Sequence, residues 1–333
     1  MPIEFLHEEL PEKEILVRHI SSTRNLQISP SEIEAFVDWR YYGRKNSVPV
    51  MAISNGECLA FVDSQMRSYA LSGETVVFQE SSEWYCQPKY RPIGLGVSVM
   101  KKMMERDEPI ISIRGTDASQ KLVAKLGWEK LQPVVLFSKM INWRTRTKDC
   151  FKKLGKMGKK SKLVLTISKE HPEADLLNKQ VGEVGCLATS MEPWEVEWFN
   201  AAPDVLGSFR WLTFFRNDDF LAYALIRIYE GAEYRRGQII HFQSTSHELH
   251  DLTELLAIVS DYMAEKGVIR LLARFSWSTI CRACELIGFQ NLGPQPVFVW
   301  DKRSVSWEGS QANLTYLRGD DSIRPFSEIR VNA

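Results

Sequence analysis

The strongest constraint on the fold is a repeat that aligns without gaps. Ile110 to Gly127-Trp128 matches Leu271 to Gly288-Phe289 in order: a short apolar run, a segment with helical spacing, then glycine and an aromatic residue. Both are followed by a second apolar run, Val134 to Phe137 in one and Val297 to Trp300 in the other. Self-similarity of this kind points to two copies of one structural unit. A chain of 333 residues is long enough for two medium domains, each with its own core.

In front of the first copy's repeat lies Glu83-Trp-Tyr-Cys-Gln-Pro-Lys-Tyr-Arg-Pro-Ile-Gly-Leu95, running through Gly96 into Val97 to Met104. It reads as strand, glycine loop and helix. Glycines let the backbone turn sharply, so the amides at the helix start can face an anion with no side chain between them. The pattern Arg91-x-x-Gly94-x-Gly96 is therefore a candidate pyrophosphate cradle.

Pro88-Lys-Tyr-Arg91-Pro-Ile-Gly94-Leu-Gly96 resembles the acyl-CoA loop of the GNAT N-acyltransferases, and the segments after it resemble the rest of that core. The resemblance implies an α/β (α+β) chain of two tandem GNAT-like domains, each a mixed, mostly antiparallel sheet flanked by helices. The expected bounds are 1–145 for the acyl-CoA domain, 146–180 for a basic connecting segment, 181–303 for a degenerate second copy and 304–333 for a tail. It further implies acetyl-CoA as cosubstrate, held by Arg91, Pro92, Ile93, Gly94, Leu95, Gly96 and Val97, with the backbone at Cys86 pairing to the pantetheine arm. Transfer needs a base for the attacking amine. Glu80 and Glu83 on the preceding strand are the candidates, through a pKa raised by an apolar cleft, with solvated strand ends as the plain alternative. The family often places a tyrosine acid where this chain has Val123, and Cys284 in the second copy, so neither copy carries it.

The remaining elements follow from local pattern. The β-branched run within Glu14 to Ile20 suits a first strand. Ser29-Pro-Ser-Glu-Ile-Glu34 caps a helix through Phe36 and Trp39. Val48 to Ser54 and Glu57 to Val62 flank Asn55-Gly56 as a hairpin, whose second arm extends toward Leu71. Thr75 to Tyr85 is the strand that leads to the loop. In the second half, Glu192 to Phe199 and Leu252 to Met263 read as helices, and Arg210 to Phe215, Phe220 to Tyr229 and Gln238 to Gln243 as strands. At the place of the glycine loop stands Ser244-Thr-Ser-His-Glu-Leu-His250, without a glycine. The second copy is expected to have lost CoA binding, and His247 and His250 read as loop residues.

Forty-two basic residues balance forty-two acidic ones, so no global field favours nucleic acid, and no specific nucleic-acid partner is expected. No apolar run approaches the ~18 residues of a membrane helix, and Met1-Pro-Ile-Glu-Phe5 lacks a secretory pattern. The expectation is a cytoplasmic chain without a transmembrane segment. Six scattered cysteines form no disulfide framework, and Cys281-x-x-Cys284, on a helix without a second pair, is expected to hold no metal. Arg144 to Lys162 contains nine basic residues, one acid and two glycines. It reads as a linker, at which trypsin should release two folded fragments. The tail, with Trp307 and Asn313 to Asp321, resembles endings of GNAT-like proteins of surface-polysaccharide synthesis. That likeness favours an amino sugar as acceptor among small amines and leaves Asp320 and Asp321 either a site role or none. The alternative function is a catalytically silent CoA-binding or assembly protein.

Overall fold

The computed structural model describes residues 2–7, 9–23, 29–43, 47, 49–71, 74–141, 163–168, 186–231, 233–303, 307 and 311–314. Its strands are β1 Glu4–Leu6, β2 Val50–Ser54, β3 Glu57–Leu71, β4 Glu74–Cys86, β5 Ile110–Ile113, β6 Glu129–Met140, β7 Leu163–Ser168, β8 Cys186–Thr189, β9 Ser208–Arg216, β10 Asp219–Glu230, β11 Arg235–Ser244, β12 Arg270–Phe275, β13 Gln290–Trp300 and β14 Gln311–Asn313. Its α-helices are α1 Lys13–Thr23, α2 Pro30–Val37, α3 Leu95–Met104, α4 Asp117–Lys125, α5 Pro193–Asn200, α6 Leu249–Glu265 and α7 Ser278–Leu286. The fold is mixed α/β, with a large, mostly antiparallel sheet flanked by helices.

The repeat is exact in register. Helix Asp117–Lys125 falls on Ser278–Leu286, and each ends before a left-handed glycine, Gly127 at φ 83° and Gly288 at φ 86°. In each copy two strands run parallel for only three rungs. β4 meets β5 from Gln79↔Ile110 to Ser81↔Ser112, and β11 meets β12 from Arg236↔Arg270 to Gln238↔Leu272. Beyond Ser81, β4 continues to Cys86 without a rung to β5, so the two strands part and leave an opening in front of α3.

The copies also exchange strands. The sheet order is β1-β2-β3-β4-β5-β13-β6-β12-β11-β10-β9-β7, so the last strand of the second copy sits between β5 and β6 of the first. β6 in turn pairs with β12. Cleaved between the copies, the first would lose the strand that joins β5 to β6, which corrects the expectation of two separately folded fragments. Residues 144–162 themselves lie outside the described residues, and Leu163–Ser168 forms an edge strand on β9.

One core cluster crosses the same boundary. Leu16, Ile20, Phe36 and Phe61 of the first copy pack with Trp198, Trp211, Leu225 and Ile240 of the second. Its centre is a pair of indoles, Trp39 and Trp198, stacked at 4.0 Å and 8°. Each indole Nε1 donates to the other residue's carbonyl at 2.7 Å.

One element differs from its sequence pattern. Glu14 to Ile20 is part of α1 and not a strand, because Leu16, His19 and Ile20 fall on one helical face and are buried. Packing of that face outweighs β-propensity over so short a run. Helix α2 begins as expected, with Ser29 and Glu32 forming a reciprocal capping box. It then widens into a π turn at Asp38–Tyr42, which carries Trp39, Arg40 and Tyr41 inward.

Candidate functional site

The glycine loop sits where β4 and β5 part. A single 3-10 turn, Pro88–Tyr90, leads to Gly94, which is left-handed at φ 79° and precedes α3. A Cβ built on Gly94 meets nothing within 4 Å, so its backbone faces open space. The amides of Leu95, Gly96 and Val97 open the helix, where no intrahelical acceptor exists. The first turn carries no acid, which leaves the positive end of the helix dipole unopposed. Ile93 is 69% exposed, and Arg91 and Pro92 are exposed beside it.

Two residues of the loop also make contacts within the protein. Gly96 is needed for packing: its Cβ would stand 3.0 Å from Cys86 Cβ and 3.7 Å from the Trp84 indole nitrogen. Trp84 Nε1 also donates to the Gly96 carbonyl at 2.8 Å, fastening the helix start to β4. Arg91 turns back, its Nε donating to the Cys86 carbonyl at 2.9 Å. Burial raises the Cys86 thiol's pKa, against opposing effects of the Gly96 amide and Arg91. Burial likewise pushes the Cys58 and Cys281 thiols up to about 12, so neither is a ready thiolate.

The corresponding helix end in the second copy is built differently. Asp251 lies in the first turn of α6 and accepts from Ser246 Oγ at 2.6 Å and from Arg216 at 2.7 Å. Against the effect of burial, these partners hold the Asp251 carboxyl below its ordinary pKa. This helix therefore carries an acid in its first turn, where α3 has none. His250, Asp251 and Glu254 bring ligand atoms within 4.8 Å of one another, yet Arg216 pairs with both carboxylates. His247 packs edge-on against Trp277 at 4.9 Å.

Across the sheet from α3, β3 and β4 present a polar row. The cross-strand pairs Asp63↔Ser82 and Gln65↔Glu80 lead to Arg67, with Phe61↔Tyr85 at the other end. The ladder breaks between Val62 and Asp63, where Glu83 is an extra residue at φ 53°. Such a bulge re-aims its side chain, and the half-buried Glu83 carboxylate accepts from Tyr41 Oη at 3.4 Å. Glu80 is different. It is 6% exposed and accepts from Arg67 Nη1 at 3.2 Å and from Tyr69 Oη at 3.4 Å. Neither an apolar cleft nor a solvated strand end describes it, because a buried guanidinium stands beside it.

Arg67 joins the copies. It donates to the Ser190 carbonyl at 3.2 Å and lies 3.6 Å from Glu195 Oε1 on α5. Its charge also acts on β10 and β11. Burial and then Arg67 push the His241 imidazole down to about 3, while burial raises Tyr223 well above its ordinary value against the pull of Arg67. Asp63, Gln65 and Arg67 were readable in the sequence as polar residues at every second place of a strand. Their covering partners Arg40 and Glu195 were not, since they come from distant helical turns.

His241 gives a pH prediction. Its folded-state pKa lies below the ordinary 6.5, so between those values the unfolded chain binds more protons. Stability is complete above pH 6.5 and falls as the pH drops through that window, by roughly 1 kcal/mol per pH unit. Denaturant midpoints at pH 7 and pH 5 should therefore differ less in His241→Gln than in the parent. An unchanged difference would show that another group governs the slope.

No protein-family model matches the chain, and no curated protein sequence does. Among solved structures, the chain is similar to a GCN5-related N-acetyltransferase from Anabaena variabilis, at TM-score 0.60 and 10% identity over 90% of this chain and 72% of that one. It is similar to a tandem GNAT protein from the clavulanic acid biosynthesis pathway, at 0.54 and 10% over 90% and 98%. It is also similar to Saccharomyces cerevisiae N-myristoyltransferase with bound myristoyl-CoA, at 0.56 and 10% over 90% and 84%. The chain shares the fold of these structures, one of which is a tandem GNAT protein. Among the described residues no helix is long and apolar enough to cross a membrane.

Proposed function

We propose that this protein is an acyl-CoA-dependent N-acyltransferase whose first copy, within residues 1–145, binds acetyl-CoA, and whose second copy, within 181–303, walls the acceptor cleft. The observation that carries the reading is the left-handed Gly94 facing open space at the head of an acid-free helix, where β4 and β5 part. Arg91, Pro92, Ile93, Gly94, Leu95, Gly96 and Val97 would form the diphosphate loop. The end of β4 at Cys86 would take the pantetheine arm as an added strand, once Arg91 swings from the Cys86 carbonyl toward the phosphates.

Bound acyl-CoA supplies the thioester. Of the two carboxylates, Glu83 is the better placed to take the proton from the acceptor's ammonium, because it is half-buried on the bulge whereas Glu80 is enclosed with Arg67. The acceptor is a small amine, with an amino sugar favoured by the tail. A place in surface-polysaccharide synthesis and a cytoplasmic location complete the reading. Asp320 and Asp321 lie outside the described residues.

Titration calorimetry of the full chain with acetyl-CoA, paired with thiol release against a panel of amines, tests this. Gly94→Asp should weaken acetyl-CoA at least about tenfold, since its side chain enters the open space with a negative charge and a strained backbone. Undiminished affinity would place CoA elsewhere. Tight binding without thiol release to any amine would favour the silent binder.

A further inference from the structure

Beyond its last rung to β5, strand β4 has an accessible edge, and the direction of its backbone groups there can be worked out. Cys86 stands opposite Ala60 of β3, and the next amide, Gln87, donates to the Leu59 carbonyl at 2.9 Å. In an antiparallel ladder this makes Ala60 and Cys86 a pair that exchanges no hydrogen bonds, so the N–H and C=O of Cys86 point away from β3. On that side β4 has no rung to β5 after Ser81↔Ser112. The Cys86 carbonyl therefore faces the opening, and the side chain of Arg91 covers it there, its Nε donating at 2.9 Å.

An open strand edge is a template for any extended chain that can pair with it. Here one of its acceptors is held by a charged side chain five residues further on. Arg91 is exposed, so the contact can be traded for another partner. Its backbone is fixed, because the Arg91 carbonyl accepts from the Gly94 amide at 3.0 Å. That leaves the guanidinium two claims from one anchor: the Cys86 carbonyl, or an anion in front of the acid-free start of α3. A phosphate oxygen makes the stronger bond, since both partners are then charged.

We propose that Arg91 sets donor selectivity by this exchange. A thioester carried on a diphosphate draws the guanidinium off the Cys86 carbonyl and frees that oxygen for an amide N–H of the pantetheine arm. The same thioester on a bare pantetheine arm has to displace Arg91 with nothing to offer it. The side chain thus works against fragments of the donor and for the whole of it. This deepens the acyltransfer reading and rests on it for the place of the donor.

The test titrates the full chain, parent and Arg91→Met, with acetyl-CoA by calorimetry and with S-acetylpantetheine by ligand-observed NMR. Methionine keeps an unbranched stem and has no side-chain N–H to donate. The two ligands should respond with opposite sign. Acetyl-CoA should weaken about threefold or more, because its phosphates lose a charged donor. S-acetylpantetheine should tighten about threefold to tenfold, the range of one net hydrogen bond. A role of Arg91 in the loop's structure alone would weaken both, and a role as phosphate ligand alone would leave S-acetylpantetheine unchanged. Any result in which the two affinities do not move in opposite directions overturns the exchange, while acetyl-CoA binding by the parent keeps the donor site. A parent that binds no acetyl-CoA overturns the donor site and the exchange together.

Discussion

Trp198→Ala is expected to destabilise the whole chain by about 3–5 kcal/mol, and both copies should still unfold in one transition. The ring it removes is 4% exposed and stacked on Trp39 of the other copy. Its loss opens a cavity in the cluster shared by α1, α2, α5, β9 and β10. The Trp39 carbonyl also loses its donor at a buried place, a further cost of about 1–3 kcal/mol where it stays unpaired. Folded domains have only about 5–15 kcal/mol in total, so the variant should sit near the edge of stability. The shared transition follows from the strand exchange, since β13 cannot leave the first copy's sheet without unfolding the second copy's last strand. Calorimetric melting, read beside amide exchange in α3 and α6, checks both parts. Early loss of protection in α3 while α6 stays protected at the global level would show that the copies are independent after all.

That coupling was hidden from the sequence for a physical reason. The repeat fixes what each copy is, because Ile110 to Trp128 and Leu271 to Phe289 specify their local elements by apolar spacing and terminal glycines. It says nothing of which sheet a strand joins, since Val297 to Trp300 is equally apolar between β5 and β6 or at the edge of its own copy. The loop was legible because its chemistry is local, all within Arg91 to Val97. Even there, Gly94 and Gly96 look alike in the string, and only the packing on Cys86 and Trp84 separates the residue facing the open space from the one that lets a helix approach a strand. The polar row on β3 and β4 was half legible. Glu80 and Glu83 stand out as carboxylates before the loop, whereas Arg67, which encloses one of them, is set by pairing across thirteen positions of a hairpin.

That enclosure underlies the last prediction: Glu83→Gln should lower turnover on the order of a hundredfold or more, with acetyl-CoA affinity unchanged, while Glu80→Gln should act first on stability. A positioned base contributes about 10²–10⁴ in rate, and only a group that reaches the acceptor can supply it. In the proposed reading the bulge aims Glu83 toward the acceptor, and its left-handed backbone carries a cost. Glutamine keeps its size and its hydrogen bond from Tyr41 but accepts no proton, so the parent's rise in rate with pH through that ionisation should vanish in the variant. Glu80→Gln instead leaves Arg67 with one carboxylate, Glu195, in the interior, and removing a partner from a buried ion pair is strongly destabilising. Its melting temperature should fall while residual folded protein still turns over. The two variants, assayed by thiol release at several pH values and by thermal melting, separate these roles. Full activity in Glu83→Gln would remove it as the base, and a hundredfold loss in Glu80→Gln with unaltered melting would move the base to the enclosed pair.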